Sequence, residues 1–257
     1  MDLNISSDIG KKLYSLMCDL FPICRSITGN GVRETLEIIK EYIPLKVYEI
    51  PSGTKVFDWV IPDEWNIREA YVENSKGERI IDFMESNLHV VNYSIPYEGA
   101  LNLDELKEHL HTLPDQSDLI PYVTSYYNKD WGFCLSHNDF LKLDNDIYSV
   151  KIDSTLKPGH LTYAELIIPG ESDEEILLST YICHPSMANN ELSGPVVATF
   201  LAKELSNREL HYTYRFVFVP ETIGSIAYLS KNLDHIKNNV VAGYVITCVG
   251  DPGNFSY

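Results

Sequence analysis

From Ile176 to Ile182 the chain is almost continuously apolar. A run of that length reads as a strand buried on both faces, of the kind found inside a parallel sheet. It stops at His184-Pro185, because proline cannot donate to a strand ladder and holds the residue before it extended. The pattern around it is regular. Strands are expected at Thr162–Ile168, Tyr212–Val219 and Val240–Val249, helices at Gly194–Leu205 and Gly224–Leu233, and a turn at Pro169–Asp173. Strand-helix-strand alternation implies right-handed crossovers and a largely parallel sheet. Near the N-terminus, Ile9, Leu13, Leu16 and Leu20 recur at helical spacing over residues 7–20, with Ser6 or Ser7 as a cap. Val32, Leu36, Ile39 and Ile43 predict a second helix, stopped by Pro44, and Leu45–Ile50 reads as a strand.

Between residues 52 and 153 the pattern changes. Short aromatic, β-prone pieces (Val56–Ile61, Glu69–Val72, Arg79–Phe83, Leu88–Tyr93, Tyr122–Tyr127, Gly132–Leu135 and Ile147–Ile152) alternate with turn clusters, and one short helix fits Asp104–Leu110. Strands this closely spaced predict a separate β-rich unit. The expected fold class is therefore α/β: a mostly parallel sheet flanked by helices, formed by residues 1–51 and 154–257, with residues 52–153 inserted.

Composition narrows the partners. The 257 residues are enough for a sizeable core, and 44% are hydrophobic. The formal charge of −17 argues against nucleic acid and against an anionic membrane surface, both of which call for clustered Lys and Arg. The five cysteines are scattered without a CxxC pair, as in a cytoplasmic protein with reduced thiols. The first residues lack the basic and apolar regions of a signal peptide, and no stretch is long enough to span a membrane.

Three loops follow sheet strands and would meet at one edge if those strands are parallel. They carry His184 with Asn189, Asn190 and Glu191; Pro220-Glu221-Thr222; and Cys248-Val249-Gly250-Asp251. Ligands bind at such edges of open α/β sheets. A histidine with carboxylates and a non-ligand Glu suits hydrolytic zinc, where the Glu takes the proton from a metal-bound water. His184 could equally be a hydrogen-bonded loop residue, and Glu221 could cap the helix that follows. Cys183 and His184 would point to opposite faces of a strand, which places them poorly to pair as the nucleophile and base of a thiol hydrolase. Arg25, Thr28 and the glycines at 29 and 31 form either an anion pocket or a plain turn.

The stretches His-Pro-Ser-Met-Ala-Asn-Asn-Glu-Leu-Ser-Gly at 184–194 and Val-Pro-Glu-Thr-Ile-Gly-Ser at 219–225 resemble a bacterial aminopeptidase-like family of unknown function. The loop at 23–31 and the stretch 124–134 also resemble it. That family is associated with surface-polysaccharide biosynthesis and is distantly similar to di-zinc aminopeptidases. The resemblance implies a zinc-exopeptidase-like fold, one or two zinc ions and a small peptide-like or amide substrate. His184 matches a zinc-ligand histidine, Asn190 the position of a metal-bridging Asp, and Glu221 the general-base Glu. Cys248 or Asp251 lies near a further acidic ligand, and either Glu191 or Asp251 would complete the shell. Asn190 and Thr222 each stand where those peptidases carry a carboxylate. Relatives continue beyond Tyr257, where a last ligand histidine is expected, and an unpaired sheet edge there would favour homo-oligomers. The implied activity is a zinc-dependent aminopeptidase-like hydrolase. The competing reading is an inactive binding or assembly module that keeps the fold.

Overall fold

The computed structural model describes residues 8–253. They form two compact units, one of residues up to Ile61 together with those from His160 onward, the other Pro62–Gly159. The first unit opens with α1 (Ile9–Leu20), α2 (Asn30–Lys40), β1 (Lys46–Pro51) and a tight hairpin of β2 (Lys55–Val56) and β3 (Trp59–Val60). The second holds β4 (Glu64–Glu73), β5 (Arg79–Asp82), β6 (Tyr97–Asn102), α3 (Leu103–Lys107), β7 (Leu110–His111), β8 (Phe133–Cys134), α4 (His137–Phe140) and β9 (Ile147–Lys157). The first unit resumes with β10 (His160–Ile168), β11 (Ser172–Tyr181), α5 (Ser193–Leu205), β12 (Tyr212–Val219), α6 (Ile223–Asn239) and β13 (Val240–Val245).

The fold is α/β, as expected, and the main sheet is mixed. Its order is β1-β10-β12-β11-β13. β1–β10 and β10–β12 pair antiparallel, whereas β12–β11 and β11–β13 pair parallel. Strand alternation divides the sheet into two faces. Ala164, Leu166, Leu178, Phe216 and Phe218 lie on one, packed with Leu16 and Leu20 of α1, Val32, Leu36 and Ile39 of α2, and Val196 and Ala202 of α5. The other face carries Glu165, Glu175 and Arg215 beneath Tyr228 and His235 of α6. Arg215 grips Glu175 with two hydrogen bonds, at 2.7 and 2.9 Å, and donates to Glu165 at 2.8 Å.

Several boundaries differ from the sequence expectation for identifiable reasons. The cap expected at Ser6 or Ser7 lies outside the described residues. β11 starts at Ser172, inside the expected turn, because Ser172 already pairs with Tyr212 ahead of a bulge. β13 ends at Val245 rather than Val249, since Cys248 turns the chain at φ 50°. Val56–Ile61 makes a hairpin with Phe57 at φ 53° rather than one strand. Leu88–Tyr93 and Tyr122–Tyr127 are not strands; each contributes only isolated bridges, and Tyr93 and Tyr127 adopt left-handed φ.

In the second unit an antiparallel sheet runs β5-β4-β9-β6. Its buried Trp65 donates to the Ser94 carbonyl, which also accepts from Ser154 Oγ. The unit runs from Pro62 to Gly159, so the hairpin at Lys55–Val60 falls outside it. β9 continues unbroken to Lys157 because Ser154–Lys157 still pair with β4.

Replacing Arg215 by Ala should lower unfolding free energy by about 3–5 kcal/mol, because two buried carboxylates lose their counter-charge. Burial alone would raise the Glu175 carboxyl, but bonds from Arg215 and His235 outweigh it and hold it below its ordinary value. Its contribution is therefore present at neutral pH and lost as pH falls through the lowered value. Urea midpoints of wild type and variant should differ at pH 7 and converge in acid; equal midpoints at pH 7 would rule the network out as a stabilising element.

Candidate functional site

Because β12, β11 and β13 run parallel, the loops after them leave the sheet at one edge. The loop after β11 carries His184, only 6% exposed. Next comes a π turn, Ala188–Leu192, closed by Leu192 N–H on the Met187 carbonyl at 3.2 Å. Such turns insert an extra residue and occur often at functional sites. Here it turns Glu191 fully inward and leaves Asn190 exposed. The direction of Glu191, open from sequence, is thus decided by one local backbone irregularity.

His184 lies between two carboxylates. Nδ1 is 2.8 Å from Glu191 Oε2, and Nε2 is 3.1 Å from Glu221 Oε2. A neutral imidazole has one N–H and one lone pair, so it can donate to only one of them. With Nδ1–H on Glu191, the Nε2 lone pair faces a carboxylate oxygen. Either a second ring proton or a cation shared with Glu221 would satisfy both carboxylates. Glu191 is itself wholly buried, and its Oε1, 3.6 Å from Arg25 Nε, has no hydrogen-bond partner. Arg25 is also fully buried and donates to the carbonyls of His184 at 3.0 Å and Leu20 at 2.8 Å, and to Thr35 Oγ1 at 3.3 Å. Burial lowers the Arg25 pKa and Glu191 pulls it back up.

The loop that delivers Arg25 depends on glycine. A Cβ on Gly31 would fall 2.0 Å from the Cys24 carbonyl oxygen, and Gly29 sits at φ 104°. Arg25 therefore serves neither an open anion pocket nor a plain turn; it is the internal counter-charge of Glu191. Sequence reading missed this role. The available signal was an arginine amid the apolar Ile23, Cys24 and Ile27.

Cys183 was set aside by strand alternation, but β11 ends at Tyr181, so alternation no longer governs residues 183 and 184. Ligand atoms of Cys183, His184 and Glu191 all come within 4.8 Å of one another. The thiol accepts from Glu221 N–H at 3.1 Å. Burial, then Glu191, raise its pKa well above the usual thiol value, which keeps it protonated and a poor nucleophile.

The third loop stands apart from this cluster. Asp251 is exposed and accepts from Asn189 Nδ2 at 2.7 Å, while Asn189 Oδ1 accepts from Gly250 N–H at 2.8 Å. This exchange ties Asp251 to Asn189 instead of His184. Tyr181, its hydroxyl raised to about 12 by burial, bonds the Asn190 carbonyl at 2.8 Å and Thr247 Oγ1 at 2.5 Å, latching the first loop to the third. Cys248 is likewise exposed.

Each of the three loops contains a non-glycine residue at positive φ: Ser186 at 41°, Thr222 at 56° and Cys248 at 50°. Thr222 is the most demanding, because its Cβ is branched and its ψ is −80°. Strain of this kind costs about 1–3 kcal/mol and clusters at functional sites. At Thr222 it turns the chain directly after Glu221, whose carboxylate meets His184.

The matching family model is described as "Domain of unknown function (DUF4910)" and spans residues 14–257. The chain belongs to this family. A Clostridium acetobutylicum protein named "Putative polysaccharide biosynthesis protein with aminopeptidase-like domain" is 58% identical over 98% of this chain. The chain spans only 58% of that relative's length. A crystal structure from the same organism, also 58% identical, superposes with a TM-score of 0.95 over 96% of this chain and 58% of its own. More distantly, the zinc aminopeptidase BSAP of Bacillus subtilis gives a TM-score of 0.61 at 13% identity, over 93% of this chain and 69% of its own. A peptidase M28 precursor of Shewanella amazonensis gives 0.57 at 11%, over 92% and 70%. This DUF4910 chain thus has the fold of zinc aminopeptidases.

Among the described residues, the open nitrogen donor that could hold a zinc ion is His184 Nε2. That donor lies opposite Glu221 Oε2 at 3.1 Å, while Glu191 Oε1 is on the Nδ1 side of the ring, against Arg25. Asn190, neutral and exposed, and Asp251, engaged by Asn189, do not add a carboxylate to it.

Two measurements check this geometry. Thr222→Gly should raise stability by about 1 kcal/mol through relief of strain; a fall in Tm would show that none is stored. Iodoacetamide at pH 8 should label the exposed Cys18 and Cys248 quickly and leave Cys183 intact, whereas rapid labelling of Cys183 would reopen the thiol reading.

Proposed function

We propose that this protein is a zinc-dependent, aminopeptidase-like hydrolase of an amide bond in a small peptide-like substrate, serving surface-polysaccharide biosynthesis. The observation that carries the reading is His184, held between Glu191 and Glu221 at the edge where three parallel-strand loops meet. The fold shared with zinc aminopeptidases supports it, and the polysaccharide link rests on the name of the Clostridium acetobutylicum relative.

His184 would hold the ion through Nε2. Glu191 accepts the Nδ1 proton, which sets the tautomer and the ring orientation, the usual task of a carboxylate behind a metal-ligating histidine. Zinc, when bound, supplies a Lewis acid that polarises a carbonyl and eases deprotonation of water. Glu221 is 54% exposed at its side chain, so solvent reaches it. It takes the proton of the attacking water and returns it to the leaving amine, as a general base must. Burial of Arg25 and Glu191 beneath His184 keeps the ring from swinging away.

A second reading, a binding module without turnover, is favoured by neutral Asn190 and by the commitment of Glu191 to Arg25. Zinc analysis and hydrolysis of aminoacyl anilides separate the two. His184→Ala should abolish zinc binding. Glu221→Gln should retain zinc and lower kcat by about 10²–10⁴-fold. A wild-type chain that takes up no zinc, or hydrolysis untouched by Glu221→Gln, would leave the binding module standing.

A further inference from the structure

We propose that the second unit carries a saccharide subsite of its own, a polar groove on its sheet that takes a neutral pyranose ring. The inference goes beyond the hydrolase reading and does not rest on it.

The groove has a volume of about 440 Å³, and its polar lining is Arg68, Tyr97, Glu98, Lys151 and Asp153. That volume lies within the range of small-ligand sites. Two irregularities of the sheet create it. β4 and β9 shift register between Ile67 and Glu69, so Arg68 is the extra residue of a bulge, a device that re-aims a side chain. β6 pairs with β9 only from Tyr97, opposite Ile152, because Pro96 before it cannot donate to the ladder. Beside Asp153 the sheet therefore opens into a recess. One wall is rigid: the Tyr97 ring stacks on Trp131 at 3.9 Å, and Trp131 on His109 at 3.7 Å.

The polar groups of this recess are only partly used. Glu98 stands directly opposite Lys151, which puts their Cβ atoms about 5 Å apart. Asp153 lies on the same face, about 7 Å along the strand from Lys151. Arg68 donates through Nε, at 2.7 Å, and through Nη2 to the same oxygen of Asp153, Oδ2. Among the described residues this leaves Asp153 Oδ1, Arg68 Nη1 and the Glu98 carboxylate without hydrogen-bond partners. Lys151 reaches Glu69 at 3.4 Å and keeps further N–H donors. The lining charges cancel, Arg68 and Lys151 against Glu98 and Asp153, so an ionic ligand gains no net attraction. A hydroxyl both donates and accepts. Neighbouring hydroxyls of a sugar ring accept from Arg68 and Lys151 while donating to Glu98 and Asp153, so all four groups are satisfied at once. A peptide strand would call instead for a row of open backbone groups.

The test is saturation-transfer NMR on the whole chain. Methyl β-glucoside, methyl β-galactoside and N-acetylglucosamine are the neutral probes; glucosamine, glucuronate and trialanine are the comparators. Transfer to at least one neutral sugar is expected, stronger than to any comparator. Glu98→Gln and Arg68→Ala, both at exposed positions that do not threaten folding, should each weaken binding of that sugar about tenfold, since each loses a hydrogen bond to a charged group. No transfer to any neutral sugar, or an affinity untouched in both variants, would overturn the inference. A preference for trialanine would show a peptide site instead, and a preference for either charged sugar would show that the lining charges do not cancel; both outcomes overturn it. Zinc content and anilide hydrolysis test the hydrolase reading separately, so the two can fail independently.

Discussion

The site depends on a buried contact between Arg25, from the loop after α1, and Glu191, from the loop after β11. Neither group is tenable in the interior without the other. An unpaired buried charge costs several kcal/mol, and each here is wholly removed from water. Once paired, they impose order on everything above them. Glu191 is aimed at Nδ1 of His184, Arg25 holds the carbonyl of the same histidine, and the ring presents Nε2 outward to Glu221. The pair also joins segments 166 residues apart in sequence, so the site can form only when α1 is docked against the helix-covered face of the sheet.

The sheet supplies the second condition. Three parallel strands release their loops at one edge, and the positive φ values at Ser186, Thr222 and Cys248 show the backbone held in costly conformations at each exit. The opposite face contributes rigidity through Arg215, Glu175 and Glu165, which anchor α6 below Glu221. The two buried ionic networks, one on each face, differ in consequence. Arg215 is matched bidentately, whereas Glu191 retains an oxygen without a hydrogen bond. The first is closed and structural; the second orients His184.

Much of this was legible in the chain itself. The apolar run at 176–182, the helical spacing of Leu16, Leu20, Leu36 and Ile39, and the loops carrying His184 and Glu221 all follow from periodicity and proline placement. The short pieces between Leu88 and Tyr127 were misread because aromatic, β-prone residues there pack as loops around left-handed tyrosines, so burial overrode propensity. Alternation also misplaced Cys183, since it holds only while the strand lasts.

The sequence alone determined the α/β class and the strand exits that bear His184 and Glu221, because these depend on local pattern and residue identity. Tertiary structure alone decided that β10 runs antiparallel to β12, that Glu191 turns inward while Asp251 joins Asn189, and that Arg25 neutralises the buried carboxylate. Those outcomes depend on a π turn and on contacts between segments far apart in the chain. Periodicity carries no information about either, since it records which face a residue occupies and never what waits on the other side.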